Sequence, residues 1–411
     1  MQTNPARGFF GLGTSLPVLL GMVVLIGMGE KMAERFLPLY LIALGGGPYS
    51  IGLLNGLDNL LSALYSFPGG YASDRLGAKR ALLLFNLLAM AGFLIVVVFP
   101  YWQAVILGAI LFISWEAISL PASMSVIAQV LPANKQVMGV SAHSLVRRVP
   151  MALGPLLGGA LITARGEEAG VRIAFGAAFV LAGLALVLQQ TLLPDSRRLE
   201  RATGAAPAAP VPAAGRNPLL LIKGFSPALR RLLIADILIR FCEQIPYAFV
   251  VVWCVERVGI SPAQFGVLTA IEMVVALLIY IPVAALADRG TKKPYVVITF
   301  IFFSLFPPVL YFARSFWPLV LAFVVRGLKE FGEPTRKSLI LDLCPPETRA
   351  SAFGAYYLAR DVVVSAAVIG GAWLWTVSPE ANFLTAFGFG LLGFGFYAAF
   401  GREKIGVSPA V

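Results

Sequence analysis

The chain has 411 residues, 58% of them hydrophobic and 13% charged, and a net charge of +11. A soluble domain keeps its apolar fraction nearer half and about a quarter of its residues charged, so the composition excludes a soluble globule and points to a polytopic membrane protein. Three cysteines without a CxxC pair and a single histidine exclude a disulfide framework and a metal cluster, and no cofactor is expected.

Twelve apolar stretches follow one another at 16–44, 50–72, 81–99, 103–131, 137–164, 172–193, 230–256, 263–287, 295–313, 317–343, 351–376 and 383–400. Each is long enough to cross the hydrocarbon core as a helix, and backbone groups in lipid must bond internally, which makes these spans helical. The N-terminal residues lack a basic region followed by a short apolar core and a cleavage site, so the first span is expected to be retained.

The bases fall in alternate loops. Arg75, Lys79 and Arg80, then Lys135, the cluster from Arg197 to Arg231, Arg289, Lys292 and Lys293, Arg349, Arg402 and Lys404 share one side, against Arg165, Arg172, Arg257 and Arg314 on the other. By the positive-inside rule both termini and the central loop are cytoplasmic, in a cytoplasmic (inner) membrane. Charge placed this way is topogenic, and no nucleic-acid partner is expected.

The segment 194–228 is the long hydrophilic stretch, with an Ala/Pro-rich middle, ATGAAPAAPVPAAG. It separates an N-terminal six-helix bundle (1–193) from a C-terminal one (229–411). One constant shift along the chain sets Glu30 on Glu243, Pro121 on Pro334, Ser125 on Ser338, Ile127 on Ile340 and Pro132 on Pro345. The expected fold is therefore an all-α integral membrane protein of twelve transmembrane helices in two pseudo-symmetric bundles. Parallel repeats of this kind, with a substrate site at their interface, are a design of secondary transporters.

An intramembrane charge costs about 2.5–3.5 kcal/mol on insertion scales and should face protein or water. Span 1 carries Glu30, Lys31, Glu34 and Arg35 on one helical face; span 7 carries Asp236, Arg240, Glu243 and Tyr247 as one stripe. Span 10 carries Arg326, Lys329, Glu330, Glu333, Arg336 and Lys337, and span 4 contributes Glu116, which the repeat shift sets opposite Lys329. Equivalent helices of two halves would line a shared aqueous cavity in this way, and buried ion pairs that hold helices together are the competing explanation for any single residue. For Asp58, Glu272 and the Arg360–Asp361 pair, structural pairing is expected. His143, with Arg147 and Arg148 in span 5, is read as a passive histidine beside snorkelling arginines, a proton relay being the alternative.

Two glycine-bearing motifs complete the pattern. GYASDRLGAKR after span 2 fixes Gly70, Asp74, Arg75, Gly77, Lys79 and Arg80, and a weaker copy after span 8 holds Asp288, Arg289 and Lys292. Gly70 and Gly77 allow tight packing and turning. GPLLGG in span 5 contains Gly154, Pro155, Gly158 and Gly159, small residues that let another helix approach closely.

These residues resemble the major facilitator superfamily along the whole chain, GYASDRLGAKR matching that family's loop 2–3 signature at each fixed position. The resemblance implies two bundles working by alternating access, with Asp74 and Arg75 as a charge relay that latches the cytoplasmic side. GPLLGG is similar to the core of the antiporter signature of drug:proton exporters, from which the chain departs at Ser141 and Pro150 and in lacking an arginine in FISWEAIS of span 4.

The function expected is secondary active transport of a small organic molecule, as proton-coupled efflux by a monomer in the lipid bilayer. Burial penalises the charged form of a carboxyl and so suits it to proton exchange, which makes Glu30, then Glu243 and Glu330, the proton-coupling candidates. Glu34, Glu116, Arg240, Tyr247, Arg326 and Lys329 are the substrate-cavity candidates. The alternative is an organic anion, such as an organic acid, phosphate ester or siderophore-like chelate, clamped by Arg35, Arg240, Arg326 and Lys329. A receptor-like membrane protein without transport is a third reading, and no constellation for an enzyme is visible.

Overall fold

The computed structural model describes residues 15–112, 115, 119, 123, 143, 146–192, 218–287, 291–344 and 349–402. The chain divides into two compact units, the first formed by 1–211 with 261–270 and the second by 212–260 with 271–411. Among the described residues there is no strand. Among these residues six helices are long and apolar enough to span a membrane, and a bent pair makes a seventh.

In the first unit the helices are α1 (Ser15–Glu34), α2 (Leu37–Ala43), α3 (Pro48–Leu76), α4 (Ala78–Val98), α5 (Trp102–Phe112), α6 (Arg148–Arg165) and α7 (Glu167–Leu192). Helix α1 packs on α6 and α7, and α4 packs on α5 and α7. Phe93, Phe112 and Phe175 form the aromatic centre where α4, α5 and α7 meet, with ring centroids 5.2–6.0 Å apart.

The second unit holds α8 (Pro218–Lys223), α9 (Pro227–Tyr247), α10 (Phe249–Val252) leading into a π-helical turn (Trp253–Arg257), and α11 (Pro262–Ala287), whose first residues belong to the first unit. It continues with α12 (Lys293–Phe312), α13 (Phe316–Leu328), α14 (Glu333–Leu343), α15 (Arg349–Val377) and α16 (Pro379–Phe400). Here α9 packs on α15 and α16, and α12 packs on α13 and α16, which repeats the pairings of the first unit. Helix starts follow local chemistry. Ser226 before Pro227 accepts from the Leu229 amide, Ser378 before Pro379 accepts from the Ala381 amide, and Ser261 and Gln264 cap each other reciprocally.

The register of the repeat shows in two helix crossings. A Cβ on Gly158 would lie 1.8 Å from the carbonyl oxygen of Met32, and a Cβ on Gly371 would lie 2.4 Å from that of Ile245. The shift that sets Glu30 on Glu243 also sets Met32 on Ile245 and Gly158 on Gly371. Only glycine permits so close an approach, so the two crossings α1–α6 and α9–α15 are the same contact made twice.

Three spans drawn as single helices are broken, and the breaks fall at the charged stripes. Helix α1 ends at Glu34, with Arg35 and Phe36 in a turn before α2. Helix α9, with Pro246 inside it, bends by 43° into the next segment just after Tyr247. The third break, Lys329–Gly332, separates α13 from α14, and the Gly332 amide that it frees donates to Thr299 Oγ1 at 2.6 Å.

Candidate functional site in the second unit

Within the second unit the stripes of α9 and of the α13–α14 break meet in a continuous network. Arg240 donates to Glu243 at 2.6 Å and lies 3.7 Å from Glu333 and 4.0 Å from Asp236. Lys329 donates to the other oxygen of Glu243 at 2.8 Å and lies 3.7 Å from Glu272. Arg326 reaches Glu272 at 3.3 Å. Arg336, 1% exposed, grips Glu333 through two nitrogens at 2.9 and 2.7 Å and also pairs with Asp236. Asp236 further accepts from Tyr356 Oη at 3.1 Å and from Arg360 at 3.5 Å, and Arg360 donates to Asp361 at 2.7 Å. Buried charges persist where each is paired and hydrogen-bonded, and here acids and bases nearly balance.

One edge of the network opens into a small cavity lined by Glu243, Tyr247, Phe303, Phe306, Arg326 and Lys329. The centre of a water molecule sweeps about 10 Å³ in it, room for about one water-sized group. The Arg326 guanidinium lies over the rings of Phe306 and Tyr247 at 5.1 and 5.5 Å, and Lys329 Nζ lies 5.7 Å from the Phe303 ring. The cations can offer charge-assisted hydrogen bonds to an anion while the aromatic faces offer apolar surface to the rest of a solute.

The sequence candidates divide between the units. Arg240, Glu243, Tyr247, Arg326 and Lys329 converge on this network and cavity, and Glu330 lies in the turn beside Lys329. Glu30 and Glu34 are in the first unit, where Lys31 lies 3.3 Å from Glu30 and also pairs with Glu34. Span 5 packs directly on this cluster, since a Cβ on Gly154 would lie 2.7 Å from Lys31 Cβ. On the other side of Pro155, a Cβ on Gly159 would lie 2.3 Å from the Pro262 carbonyl oxygen. Glu116, Asp288 and Arg289 lie outside the described residues.

Of the loop signature, Gly70 and Asp74 fall within α3, Arg75 and Arg80 are exposed, and Gly77 takes φ +84° to turn the chain into α4. Lys79 Nζ donates to the Gln190 carbonyl near the end of α7 at 2.8 Å. In the second unit Lys293 does the same to the Ala398 carbonyl near the end of α16 at 2.9 Å, while Lys292 pairs with Asp342 and donates to Ser338 at 2.7 Å.

Sequence reasoning left out Phe303 and Phe306, because a wholly apolar span gives no sign of which face meets a charge. It read Arg360 only with its neighbour Asp361; the reach to Asp236 depends on the α9–α15 crossing, for which Gly371 is the visible signal.

The comparisons agree with this architecture. The model of the Major Facilitator Superfamily matches residues 19–242 and 232–408. An uncharacterised MFS-type transporter of Methanocaldococcus jannaschii is 23% identical over 380 residues, covering 89% of this chain and 90% of the relative. Among solved structures, a peptide transporter POT in complex with sulfate superposes with a TM-score of 0.73 at 17% identity, covering 96% of this chain and 95% of the other. The nucleoside transporter NupG superposes with a TM-score of 0.75 at 15% identity, covering 94% and 100%. The human organic anion transporter MFSD10 superposes with a TM-score of 0.63 at 15% identity, covering 93% and 98%. With both halves matched by one family model and the same helix pairings in each unit, the chain belongs to the Major Facilitator Superfamily and is a multi-pass membrane transport protein, not an enzyme.

Proposed function

We propose that the protein is a proton-coupled secondary transporter of a small organic molecule that carries an acidic group. The observation that supports this most is the position of Lys329, which holds Glu243 at 2.8 Å in the wall of an aromatic-lined cavity that also presents Arg326. An incoming carboxylate or phosphate would take Lys329 from Glu243, and Arg240, 2.6 Å away, would keep Glu243 paired while it did so. The exchange leaves no buried charge alone, which keeps its barrier low. Solved neighbours named as a sulfate complex of a peptide transporter and as an organic anion transporter support an anionic solute on this fold.

Glu30 is the proton carrier in this reading. It is buried, and one lysine, Lys31, serves both Glu30 and Glu34; a proton on either acid relieves the repulsion between them. Glu243 and Glu330 are second choices for that role. Efflux across the cytoplasmic membrane, with both termini cytoplasmic, is the direction that the resemblance of GPLLGG supports. The two halves 1–193 and 229–411, tethered by 194–228, would alternate as a monomer, with Asp74 and Arg75 latching the cytoplasmic side.

The test is equilibrium binding by the purified protein of organic anions, cations and neutral compounds matched in size. Anions should bind, and Lys329→Gln should weaken them about tenfold or more, the worth of one charge-assisted hydrogen bond. Equal binding of cations and anions, untouched by Lys329→Gln, would contradict the reading.

A further inference from the structure

Span 10 is interrupted inside the second unit, and the residues on either side of the interruption carry the candidate site. Lys329, which opens the turn, holds Glu243 at 2.8 Å, and Glu333, which begins α14, is gripped by Arg336 and lies 3.7 Å from Arg240. Irregular backbone in a membrane span persists only where its polar groups are satisfied inside the protein. Within the turn the amides of Glu330, Phe331 and Glu333 bond three residues back, to the carbonyls of Gly327, Leu328 and Glu330. Gly332 stands at the start of α14, where a helix leaves its first amides without intrahelical acceptors, and glycine has no side chain with which to cap the end. Its amide donates instead to the hydroxyl oxygen of Thr299 on α12 at 2.6 Å, and Thr299 is fully buried.

The fit around that bond is close. A Cβ on Gly332 would lie 2.4 Å from the Tyr295 carbonyl oxygen and 2.7 Å from Thr299 Oγ1, so only glycine lets the turn settle on α12. The Phe331 ring stacks on that of Tyr295 with centroids 6.0 Å apart and lies 6.3 Å from that of Phe302. Tyr295, Thr299 and Phe302 follow one another at helical spacing on one face of α12, and Phe303 and Phe306 of the same helix line the cavity with Lys329. One helix therefore carries both the cavity wall and the seat of the turn. The aromatic contacts hold the turn by area; the Thr299 oxygen is the contact with a direction, and losing it strands a buried N–H.

We propose that Thr299 is a positioning residue of the candidate site: its hydroxyl oxygen takes the Gly332 amide that the broken span leaves over, and thereby sets the turn from which Lys329 reaches Glu243. The consequence for transport rests on the reading of Lys329 as the partner of an anionic solute. With the turn pinned, less ordering is left to the moment a solute binds. With the pin removed the turn is free to rewind, and an α-helix rotates a side chain by about 100° for each residue of register.

The test is a thermal-unfolding cycle on the full-length protein in detergent, with native, Thr299→Val, Lys329→Gln and the double variant. Thr299→Val replaces the hydroxyl by a methyl group and should lower Tm; Thr299→Ser, which keeps the acceptor, should restore most of the loss. Because a misplaced Lys329 has already lost part of its bond to Glu243, the drop caused by Thr299→Val in the Lys329→Gln protein should be about half or less of the drop in the native protein. A merely structural threonine would cost the same in both. Equal drops, or a Thr299→Ser protein no better than Thr299→Val, would overturn the proposal. Should Thr299→Val not purify as a monodisperse protein, Thr299→Ala takes its place in the cycle. Titration of the same proteins with benzoate, against benzylamine, separates this proposal from the reading it rests on. Benzoate should bind Thr299→Val about tenfold more weakly than the native protein, with Thr299→Ser close to native. Benzoate affinity unchanged in Thr299→Val but lowered in Lys329→Gln would also overturn the proposal. Benzoate and benzylamine held equally by the native and Lys329→Gln proteins would contradict the anionic reading, and the Tm cycle, which uses no ligand, would still decide on Thr299.

Discussion

The two units place polar groups in their interiors by different chemistry on the same helix pairings. In the first, Asn86 donates to Gln189 at 2.6 Å and accepts from the Trp115 indole at 2.7 Å, and Gln189 donates to the Lys79 carbonyl at 2.8 Å. These groups are neutral, and they tie α4 to α7. In the second unit the repeat shift puts Thr299 in the place of Asn86, where it bonds the broken backbone at Gly332. There, charged side chains from α9, α11, α13, α14 and α15 make most of the cross-helix ties, beside the neutral Asn382, which donates to the Ile245 and Gly371 carbonyls. The difference matters because a neutral network is satisfied once and stays so, whereas an ionic network can exchange partners with a charged solute or a proton. The ionic network of the second unit and the Lys31–Glu30–Glu34 cluster of the first therefore mark where a ligand or a proton could compete, and the Asn86, Gln189 and Trp115 bonds mark where the first bundle is held.

That contrast predicts a ranking of substitutions. The largest effect belongs to Arg336→Gln, which removes the base that pairs most closely with both Asp236 and Glu333; the loss should be about 3–5 kcal/mol of stability, read from thermal unfolding in detergent. Asn86→Leu should cost less, about 1–3 kcal/mol, since it strands the Trp115 N–H and the Gln189 amide but no charge. If Asn86→Leu proved as damaging as Arg336→Gln, the distinction between the two interiors would fail. Lys292→Ala should cost under about 1 kcal/mol and become neutral at high salt, because its partner Asp342 is 50% exposed. A large effect there would mean that the pair is held in a way its exposure does not suggest.

Much of this was legible in the sequence. Twelve apolar stretches and the constant offset between the halves give the helices and the repeat, because the bilayer restricts spanning backbone to so few forms, while the family was legible only through the resemblance of GYASDRLGAKR to its loop signature. The stripe of Asp236, Arg240, Glu243 and Tyr247 was legible too, helical spacing being sufficient to align it. The breaks were not read from the apolar stretches, although each is followed by a proline in the first turn of the next helix, Pro38 and Pro334, whose missing N–H cannot bond back across the turn; the second is also held by a hydroxyl on a distant helix, Thr299. Nor does spacing along one helix tell which acid a base selects: Arg326 takes Glu272 of α11 at 3.3 Å.

The central claim is that an anionic solute and a proton are exchanged through Lys329, Glu243 and Glu30. It is tested most directly in proteoliposomes loaded with a pH-sensitive dye, recording proton movement on addition of organic anions to the native protein, to Glu30→Gln and to Lys329→Gln. The account predicts anion-evoked proton flux in the native protein, loss of the proton signal with anion binding kept in Glu30→Gln, and loss of both in Lys329→Gln. Native flux evoked equally by cations, or undiminished in both variants, would contradict it.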